Sequence, residues 1–304
     1  MKTVLLIIVC VALSVGIALI AEKQLHQQYA SGATTPAPVT KESVYDRVER
    51  TGTIRCGYIS WPPFLIKDAN TGKVSGIFVD YLEALAKNLH LKIDWAMENG
   101  WGDFVEALNT DKIDAFCAGA WPNSERAVHA DFIRPISYQA FSAFVRAGDA
   151  RFDNNIARAN SADVTAAEVD GSTNALVSNT DFPLSKKDQM PQTTEVANTF
   201  MEVETGKADI TFMAIYPGAE FMANNPGKIQ QVKLVHPLRA FGNVILIKPD
   251  QYRFKAMLDS ATEELINSGQ IESFIAKGEK YPGSIYRVAD PYKLPQPQTG
   301  TGAP

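Results

Sequence analysis

Residues 112–126, KIDAFCAGAWPNSER, decide how this chain folds. The first half, residues 113–118, is apolar apart from one aspartate and predicts a buried strand. The second half predicts a turn into a short helix that is capped by Asn123 or Ser124, with Arg126 in the same turn. Free backbone N–H groups at a strand-to-helix junction, together with a guanidinium, favour the binding of a carboxylate or a similar planar anion. The sequence therefore predicts that this stretch forms one wall of a ligand cleft.

The composition of the chain is that of an ordinary globular protein. It has 304 residues, of which 45% are hydrophobic and 21% are charged, and its net charge is −5. This charge gives no support to a nucleic-acid partner. The three cysteines form no CxxC pair and the four histidines show no ligand spacing, so we expect neither a metal site nor a cofactor.

The N-terminus decides the compartment. Residues 3–21 carry no charge, and their length lies at the border between a signal peptide and a spanning helix. Residues 1–21 are therefore a cleaved signal or a membrane anchor, and the uncleaved anchor is favoured. In that case residues 4–21 would contact the membrane. Residues 22–43 have the composition of a flexible linker. In either case we expect the rest of the chain in the periplasm, and in the uncleaved case we expect it to be tethered to the inner membrane.

The first half of the folded part alternates strands and helices. Strands are predicted at residues 53–58, 91–96 and 113–118, with helices at 77–89 and 103–108. This order predicts a mainly parallel sheet flanked by helices on both faces. Ligands bind such sheets beyond the carboxyl ends of the strands, where Trp61, Trp121 and Arg126 lie.

The second half repeats the alternation more weakly and then returns to helices. A strand at residues 164–169 ends at a turn into a helix, and further elements follow: a helix at 194–204, strands at 208–215, 228–235 and 240–248, and helices at 251–267 and 270–277. Two α/β sets joined by two extended apolar runs, at residues 138–145 and 240–248, predict two lobes with a two-strand hinge. The first lobe would comprise residues 44–143 and 243–281, the second 144–242, and residues 282–304 would be a disordered tail.

The order of several motifs resembles a known family. TIRCGY is followed by WPPF, GKVSGIFVDYLEALAKNL, WGDFVEALNTDKIDAFCAGAWPNSER, DFIRPISY, GST and GKADITF. Together these resemble the bacterial extracellular solute-binding proteins of family 3, which bind polar amino acids. The resemblance covers about residues 53–281. It implies a type II periplasmic-binding-protein fold, a small ligand clamped between two lobes, delivery to an ABC-type permease, and a monomer.

The resemblance also implies ligand-binding roles for individual residues. Arg126 matches the arginine that grips the ligand's carboxylate, and Gly119 and the backbone of Trp121 match its partners. Ser172 and Thr173 match donors from the second lobe. The aromatic wall would be formed by Trp61 and Phe64, and Tyr216 is added because it follows a strand end.

Two departures from the family pattern bear on the ligand. Trp121 replaces the usual threonine, and no acid stands near Ala214, where the family places the carboxylate that binds the ligand's ammonium. A desolvated ammonium without an acid would cost several kcal/mol. We therefore expect a small organic anion or an amino-acid-like molecule, and not a standard amino acid.

Other interpretations remain open at this stage. Arg126 could cap its helix or pair with Asp131, and the tryptophans could be core residues. The fold also has dehydratase relatives, for which Asp170 and Glu98 would be candidate acids or bases, although no catalytic residue is predicted. A membrane-tethered sensor or accessory subunit is a third function.

Cys56 and Cys117 lie on strands that would be neighbours in the first lobe. In an oxidising compartment they could form a disulfide. Because adjacent parallel strands seldom offer the required geometry, we expect two buried free thiols.

Overall fold

The computed structural model describes residues 19–24, 42–195 and 197–288. Residues 19–24 are helical, and within the described residues no helix is long and apolar enough to cross a membrane. The predictions for residues 1–18, 25–41 and 289–304 lie outside the described part.

The body that begins at Ser43 contains nine described helices and thirteen described strands in an α/β arrangement. The helices are α1 (Val44–Thr51), α2 (Ile77–Asn88), α3 (Phe104–Asn109), α4 (Ser124–Ala127), α5 (Thr173–Asp181), α6 (Ala197–Thr205), α7 (Ile215–Asn224), α8 (Tyr252–Asn267) and α9 (Gln270–Gly278). The strands are β1 (Thr53–Tyr58), β2 (Ile66–Lys67), β3 (Val74–Ser75), β4 (Lys92–Glu98), β5 (Ala115–Ala120), β6 (Asp131–Phe132), β7 (Ser137–Arg146), β8 (Thr165–Val169), β9 (Lys186–Met190), β10 (Ile210–Ala214), β11 (Ile229–Gln231), β12 (Arg239–Ile247) and β13 (Tyr286–Arg287).

The main sheet runs in the order β4-β1-β5-β12-β7-β10-β8-β9. Pairing is parallel from β4 to β5 and from β10 to β9, and antiparallel where β12 and β7 join the two parts. We refer to the part around β4, β1 and β5 as the first lobe and to the part around β10, β8 and β9 as the second lobe.

The hinge is formed by β12 and β7, as predicted from their long apolar runs. Residues 239–243 of β12 pair with residues 137–141 of β7, whereas residues 244–247 pair with β5 in the first lobe. Residues 141–145 of β7 continue into the second lobe, where they pair with β10. Both strands therefore cross between the lobes. The lobe limits at residues 143/144 and 242/243 stay a prediction.

The buried β5 strand separates two layers of the first lobe. Ala115 and Cys117 face the cluster that contains α2, whereas Phe116 and Ala118 face the cluster that contains α3. This alternation follows from the strand period of two residues. Helices therefore cover both faces, and the carboxyl end of β5 is free to continue into the turn before α4.

Cys56 and Cys117 form a disulfide, so the prediction of two free thiols is wrong. Cys56 pairs in register with Ala115, and Cys117 lies two residues further along β5, on the same face of the sheet. The two Cα atoms are 5.6 Å apart, within the range that a disulfide spans. The diagonal placement supplies the geometry that directly paired positions on parallel strands lack.

Several elements differ from the sequence-based expectation, among them helix α1 and the short strands β2, β3 and β6, for which no element was predicted. Strand β9, with the polar sequence KKDQM, and helix α7 were not predicted. Residues 282–288 were predicted to be disordered, but Ile285 is buried and β13 pairs with β7 beside the hinge. The C-terminal segment thus extends the sheet before the described residues end.

Candidate functional site

Arg126 is positioned by the turn that follows β5. Asn123 is the N-cap of α4, and its side-chain oxygen accepts a hydrogen bond from the Arg126 backbone N–H at 2.7 Å. The predicted cap is therefore present, and it already uses one of the backbone donors that were expected to face a ligand. The guanidinium donates to the Trp121 carbonyl at 2.9 Å and lies 4.9 Å from the Phe104 ring centroid.

The Arg126 side chain is a buried cation without an anionic partner. The residue is only 7% exposed, and within the described part of the chain no carboxylate lies at ion-pair distance from its guanidinium. Burial lowers its pKa to about 10, because desolvation penalises the charged form. The alternative of a surface pairing with Asp131 is not observed, and that carboxylate accepts a hydrogen bond from the Asp250 N–H. Carboxylates of Glu106, Glu125 and Asp170 line the cavity into which Arg126 opens, but no described ion pair offsets the cost of burying this guanidinium.

Arg126 opens into a cavity of about 650 Å³ between the two lobes, which we call the Arg126 cavity. The first lobe contributes Asn123, Glu106 and His129, and the second lobe contributes Ser172 and Asp170 among others. Ser172 is the N-cap residue of α5, and its hydroxyl contacts the Asn174 side chain. A ligand in this cavity would touch both lobes at once.

Trp61 belongs to a different cavity of about 760 Å³, which we call the Trp61 cavity. Its first-lobe wall contains Trp61, Glu98 and Asn99, and its second-lobe wall is formed by residues of α6 and α7. The predicted site residues are therefore not all brought together around one space. Arg126 and Ser172 line one cavity, and Trp61 lines the other.

Trp101 and Gly102 separate the two cavities. Trp101 lines both of them, and its ring packs edge-on against Trp61 at 5.3 Å. Gly102 lies close to the second lobe: a Cβ atom on Gly171 would come within 3.5 Å of its Cα, and one on Gly102 would collide with Gln192. The lobes therefore meet at Gly102, and the absence of a side chain there permits the contact.

Trp121 connects the site to the hinge instead of lining either cavity. Its indole N–H donates to the Asn243 side chain at 2.8 Å, and the Asn243 amide donates to the Ser137 hydroxyl at 2.9 Å. The indole also stacks on Phe241, with ring centroids 5.4 Å apart. Because Asn243 and Ser137 are a register pair of β12 and β7, the indole is held on the hinge strands.

The other predicted site residues also line neither cavity. Phe64 is fully buried against Phe78, and Gly119 has a φ of +77° with Phe78 so close that a Cβ would lie 2.8 Å from its ring. Thr173 is buried in the first turn of α5. Tyr216 packs on Tyr281 at 5.3 Å, and burial raises its pKa to about 12. Gly119 is explained by packing and backbone conformation.

Sequence reasoning missed Trp101 as a site residue. It follows β4 in the segment Asn99–Trp101, at the carboxyl end of a parallel strand, which is the position that identifies ligand-binding residues in such sheets. Asp170, considered only as a catalytic candidate, lies in the Arg126 cavity and accepts from the Gln189 side chain at 3.3 Å. Glu98 lies in the Trp61 cavity and pairs with Lys67.

The site of the missing ammonium-binding acid is fully apolar. Ala214 is buried at the end of β10, and it is followed by Ile215. Among the described residues, no group of three or more His, Cys, Asp or Glu side chains is placed to hold a metal ion. The Arg126 cavity thus offers a ligand one guanidinium and several hydrogen-bonding groups, beside the carboxylates of Glu106, Glu125 and Asp170.

Comparison with known proteins gives matches of three kinds. The profile of the bacterial extracellular solute-binding proteins, family 3, matches residues 54–277. A probable amino-acid ABC transporter-binding protein of Haemophilus influenzae is 28% identical over 107 residues, which cover 35% of this chain and 41% of that protein. The L-cystine-binding protein TcyJ of Escherichia coli is 26% identical over 110 residues, which cover 36% of this chain and 40% of that protein. The chain therefore spans about two-fifths of the length of these curated relatives.

Solved structures confirm the predicted type II periplasmic-binding-protein fold. The ancestral amino acid-binding protein AncCDT-1, a precursor of cyclohexadienyl dehydratase, superposes with a TM-score of 0.68 at 23% identity, covering 79% of this chain and 100% of that one. An amino acid ABC transporter substrate-binding protein from Streptococcus pneumoniae, bound to L-arginine, superposes with a TM-score of 0.65 at 18% identity. The match covers 81% of this chain and 100% of that one. These identities support likeness of fold alone. On the profile match, the chain belongs to the bacterial extracellular solute-binding proteins, family 3.

Proposed function

We propose that this protein is an exported binding protein that clamps a small carboxylate-bearing ligand in the Arg126 cavity and delivers it to an ABC-type permease. The observation that carries the proposal is the buried Arg126 guanidinium without an anionic partner. A ligand carboxylate would offset its desolvation and could accept two parallel hydrogen bonds from it.

The shape of the Arg126 cavity supports a clamp. Its volume of about 650 Å³ lies within the range of small-molecule sites, and its walls come from both lobes. A ligand that contacts Arg126 on one side and Ser172 on the other gains its full set of contacts only when the lobes are closed. Binding would then shift the population towards the closed form, which a permease can recognise.

We propose further that the ligand is not a standard amino acid. Ala214 and Ile215 stand where the family's ammonium-binding acid would be, so an ammonium at that position would be desolvated without a partner. One observation favours the opposite view: Asp170 lies in the same cavity and offers a carboxylate from a different direction. An amino acid bound through Asp170 is therefore the second candidate.

Isothermal titration calorimetry with a matched pair of ligands separates the two. Hydrocinnamate is phenylalanine without its amino group, so the pair differs only in the ammonium. We expect hydrocinnamate and related carboxylates to bind, and phenylalanine to bind more weakly by about tenfold or more, because its ammonium lacks an acid. Tight binding of L-amino acids with no binding of simple carboxylates would contradict the proposed ligand class. Asp170→Asn would then test the second candidate directly.

The dehydratase alternative finds limited support in the site. Its two candidate carboxylates lie in different cavities, Asp170 with Arg126 and Glu98 with Trp61. A single ligand in the Arg126 cavity would therefore meet only one of these two candidates, Asp170, together with Glu106 and Glu125. Turnover of a cyclic carboxylate by the purified protein would establish this alternative.

The placement in the cell is part of the proposal. We infer a monomer in the periplasm, with residues 4–21 in the inner membrane if they are not cleaved, and a permease as the partner. Copurification with another exported complex, independent of any permease, would favour the sensor or accessory role instead.

A further inference from the structure

The ten described residues after α9 connect three parts of the molecule. Helix α9 packs against α2 of the first lobe, where a Cβ on Gly278 would come within 2.6 Å of Ile77. The match to the family profile ends at residue 277, so the residues that follow the helix lie beyond the matched part of the chain. We call residues 279–288 the 279–288 segment, and its contacts are described from the first lobe outward.

Both ends of the 279–288 segment are fastened to α9. The Glu279 carboxylate, whose side chain is only 6% exposed, accepts a hydrogen bond from the Ile285 N–H at 2.9 Å and pairs with the Arg287 guanidinium. Arg287 also pairs with Glu272 in the first turn of α9, at 3.1 Å. Ile285 itself is buried. Because these contacts close the segment back onto the helix from which it starts, it moves with the first lobe.

The middle of the segment contacts the second lobe. The Tyr281 ring packs edge-on against the Tyr216 ring of α7, with ring centroids 5.3 Å apart. Lys280 lies 3.8 Å from Glu220, one turn further along the same helix. Tyr216 is buried, whereas the side chains of Lys280 and Glu220 are solvent-exposed, so their ion pair is of the weak, screened kind. The contact between the two tyrosine rings therefore contributes most of the attraction to the second lobe.

The end of the segment, β13, lies on a hinge strand. Tyr286 pairs with Tyr138 of β7 and Arg287 pairs with Ser137, in antiparallel orientation. The same two residues of β7 pair on their other edge with residues 242–243 of β12. The crossing between the lobes is therefore three strands wide at this point, and the segment touches the first lobe, the hinge and the second lobe within ten residues.

Contacts of this kind depend on how far the lobes are open. Opening rotates one lobe against the other about β7 and β12, and a segment that is fixed to the first lobe does not move with α7. The lobes are together in this structure, since they also meet at Gly102. The contact between Tyr281 and Tyr216 therefore stabilises the closed arrangement relative to an open one.

We propose that the 279–288 segment is a strap that holds the second lobe against the first in the empty protein and so sets the ratio of closed to open forms. A buried pair of aromatic rings shifts a two-state equilibrium by up to about tenfold. The proposal goes beyond the carboxylate clamp because the strap acts without a ligand, through residues that do not line the Arg126 cavity.

The distance between the lobes in the empty, full-length protein tests the strap. Spin labels are attached at Ala96→Cys in β4 and Lys186→Cys in β9, and the distance is measured by double electron–electron resonance. Both residues are exposed, and these two edge strands lie furthest from the hinge in the order of the sheet, so opening changes their separation most. Cys10→Ser removes the remaining cysteine outside the disulfide. The closed form has the label distance that this structure gives.

Matched variants locate the effect within the strap. Tyr281→Ala should raise the ratio of open to closed protein by about tenfold, seen as a second distance population, because it removes the ring that contacts Tyr216. Tyr286→Ala is the control: it removes the same ring from the same segment at a residue that is 40% exposed, and it should change the ratio by less than about twofold. Circular dichroism and thermal melts confirm that both variants fold.

Three outcomes would overturn the strap: an empty wild-type protein that is found only in the open form, an unchanged distance distribution in Tyr281→Ala, or equal shifts in Tyr281→Ala and Tyr286→Ala. If Tyr281→Ala does not fold, Arg287→Ala replaces it, since loss of the pairs with Glu272 and Glu279 releases the strap from α9 and should also raise the open fraction. The distances are measured without ligand. Failure of hydrocinnamate to bind would therefore count against the carboxylate clamp and leave the result for the strap unchanged.

Discussion

Replacement of Arg126 by methionine tests whether this residue serves ligand binding or the stability of the fold. Methionine keeps an unbranched apolar stem of similar reach and removes the charge. In wild-type protein the guanidinium makes two described interactions, a hydrogen bond to the Trp121 carbonyl and a contact over the Phe104 ring. If Arg126 serves the ligand, its removal should cost the empty protein little and the liganded protein much.

The structure supplies the magnitude. Lowering of the pKa of Arg126 from 12.5 to about 10 corresponds to ~3 kcal/mol by which burial destabilises its charged form. The hydrogen bond contributes about 1–2 kcal/mol in the other direction and the ring contact about 1 kcal/mol. The opposing contributions nearly cancel. We therefore expect the unfolding free energy of the empty Arg126→Met protein to lie within about 1 kcal/mol of the wild-type value.

The sign of the pH dependence follows from the same shift. Because the folded-state pKa is lowered, the cost of burying the cation is fully present below about pH 10 and is relieved only as the pH rises above that value. At neutral pH the guanidinium is charged in both the folded and the unfolded state. The comparison with methionine at neutral pH therefore reports the whole cost, without any contribution from titration.

Urea unfolding with and without hydrocinnamate is the assay. A ligand present at about a hundred times its dissociation constant stabilises the folded protein by about 2.7 kcal/mol. Wild-type protein should show this increase, and Arg126→Met should not. Arg126→Lys is the control: it retains a charge but cannot form two parallel hydrogen bonds, so its increase should be smaller than the wild-type increase.

Two outcomes would refute this reasoning about Arg126. A loss of more than about 3 kcal/mol in the empty methionine variant would show that the guanidinium holds the turn after β5 together. An unchanged response to hydrocinnamate would show that the carboxylate binds elsewhere.

Two further predictions concern the stability of the first lobe. Replacing Cys56 and Cys117 by alanine opens a loop of 61 residues and should lower the free energy of unfolding in urea by about 4 kcal/mol. If the oxidised wild-type protein and the variant unfold at the same urea concentration, the disulfide is not formed in solution. Asp114→Asn should lower the free energy of unfolding by about 3 kcal/mol in the same assay, because the buried Asp114 carboxylate forms ion pairs with both Arg47 and Arg55. A decrease of less than about 1 kcal/mol would contradict this role of Asp114.

The architecture was largely predictable from the sequence because its signals are local and periodic. The buried β5 strand, the amphipathic α2 helix and the long apolar runs of β7 and β12 all occur close to their predicted positions. The cap at Asn123 also follows from residues within one turn. Such features depend mainly on residues that are close together in the chain, so they can be predicted from the sequence.

Helix α7 and strand β9 were not predicted because their local sequences favour other structures. Helix α7 contains Pro217 and Gly218, which usually indicate a turn, but the proline lies in the first turn of the helix, where it is tolerated. The glycine lies so close to Phe144 that a Cβ would come within 2.1 Å of its ring. Strand β9 is polar because it lies at the edge of the sheet, where only one neighbour, β8, pairs with it. In both cases tertiary packing overrides propensity.

The disulfide shows how a correct general rule led to a wrong prediction. Directly opposed positions on parallel strands hold cysteines poorly, but Cys56 and Cys117 are diagonal neighbours on one face. That placement depends on the register between β1 and β5, which is set by contacts along both strands. The residue types alone do not specify it, so the sequence could name the two cysteines without deciding between a bond and free thiols.

The division of the cleft into two cavities depends on contacts between residues far apart in sequence. Trp101 lies against Trp61, and the neighbouring Gly102 approaches Gly171 and Gln192 of the second lobe. Each of these residues is ordinary by itself. Only their meeting separates a cavity that contains Arg126 and His129 beside three carboxylates from a cavity whose described lining has carboxylates and aromatic rings but no cationic side chain. A Cβ at Gly102 would meet the end of the Gln192 side chain, so a substitution here would require that flexible side chain to move away from the contact. The separation of the Arg126 cavity from the Trp61 cavity therefore depends on a glycine contact between the lobes, which the sequence of neither lobe specifies by itself.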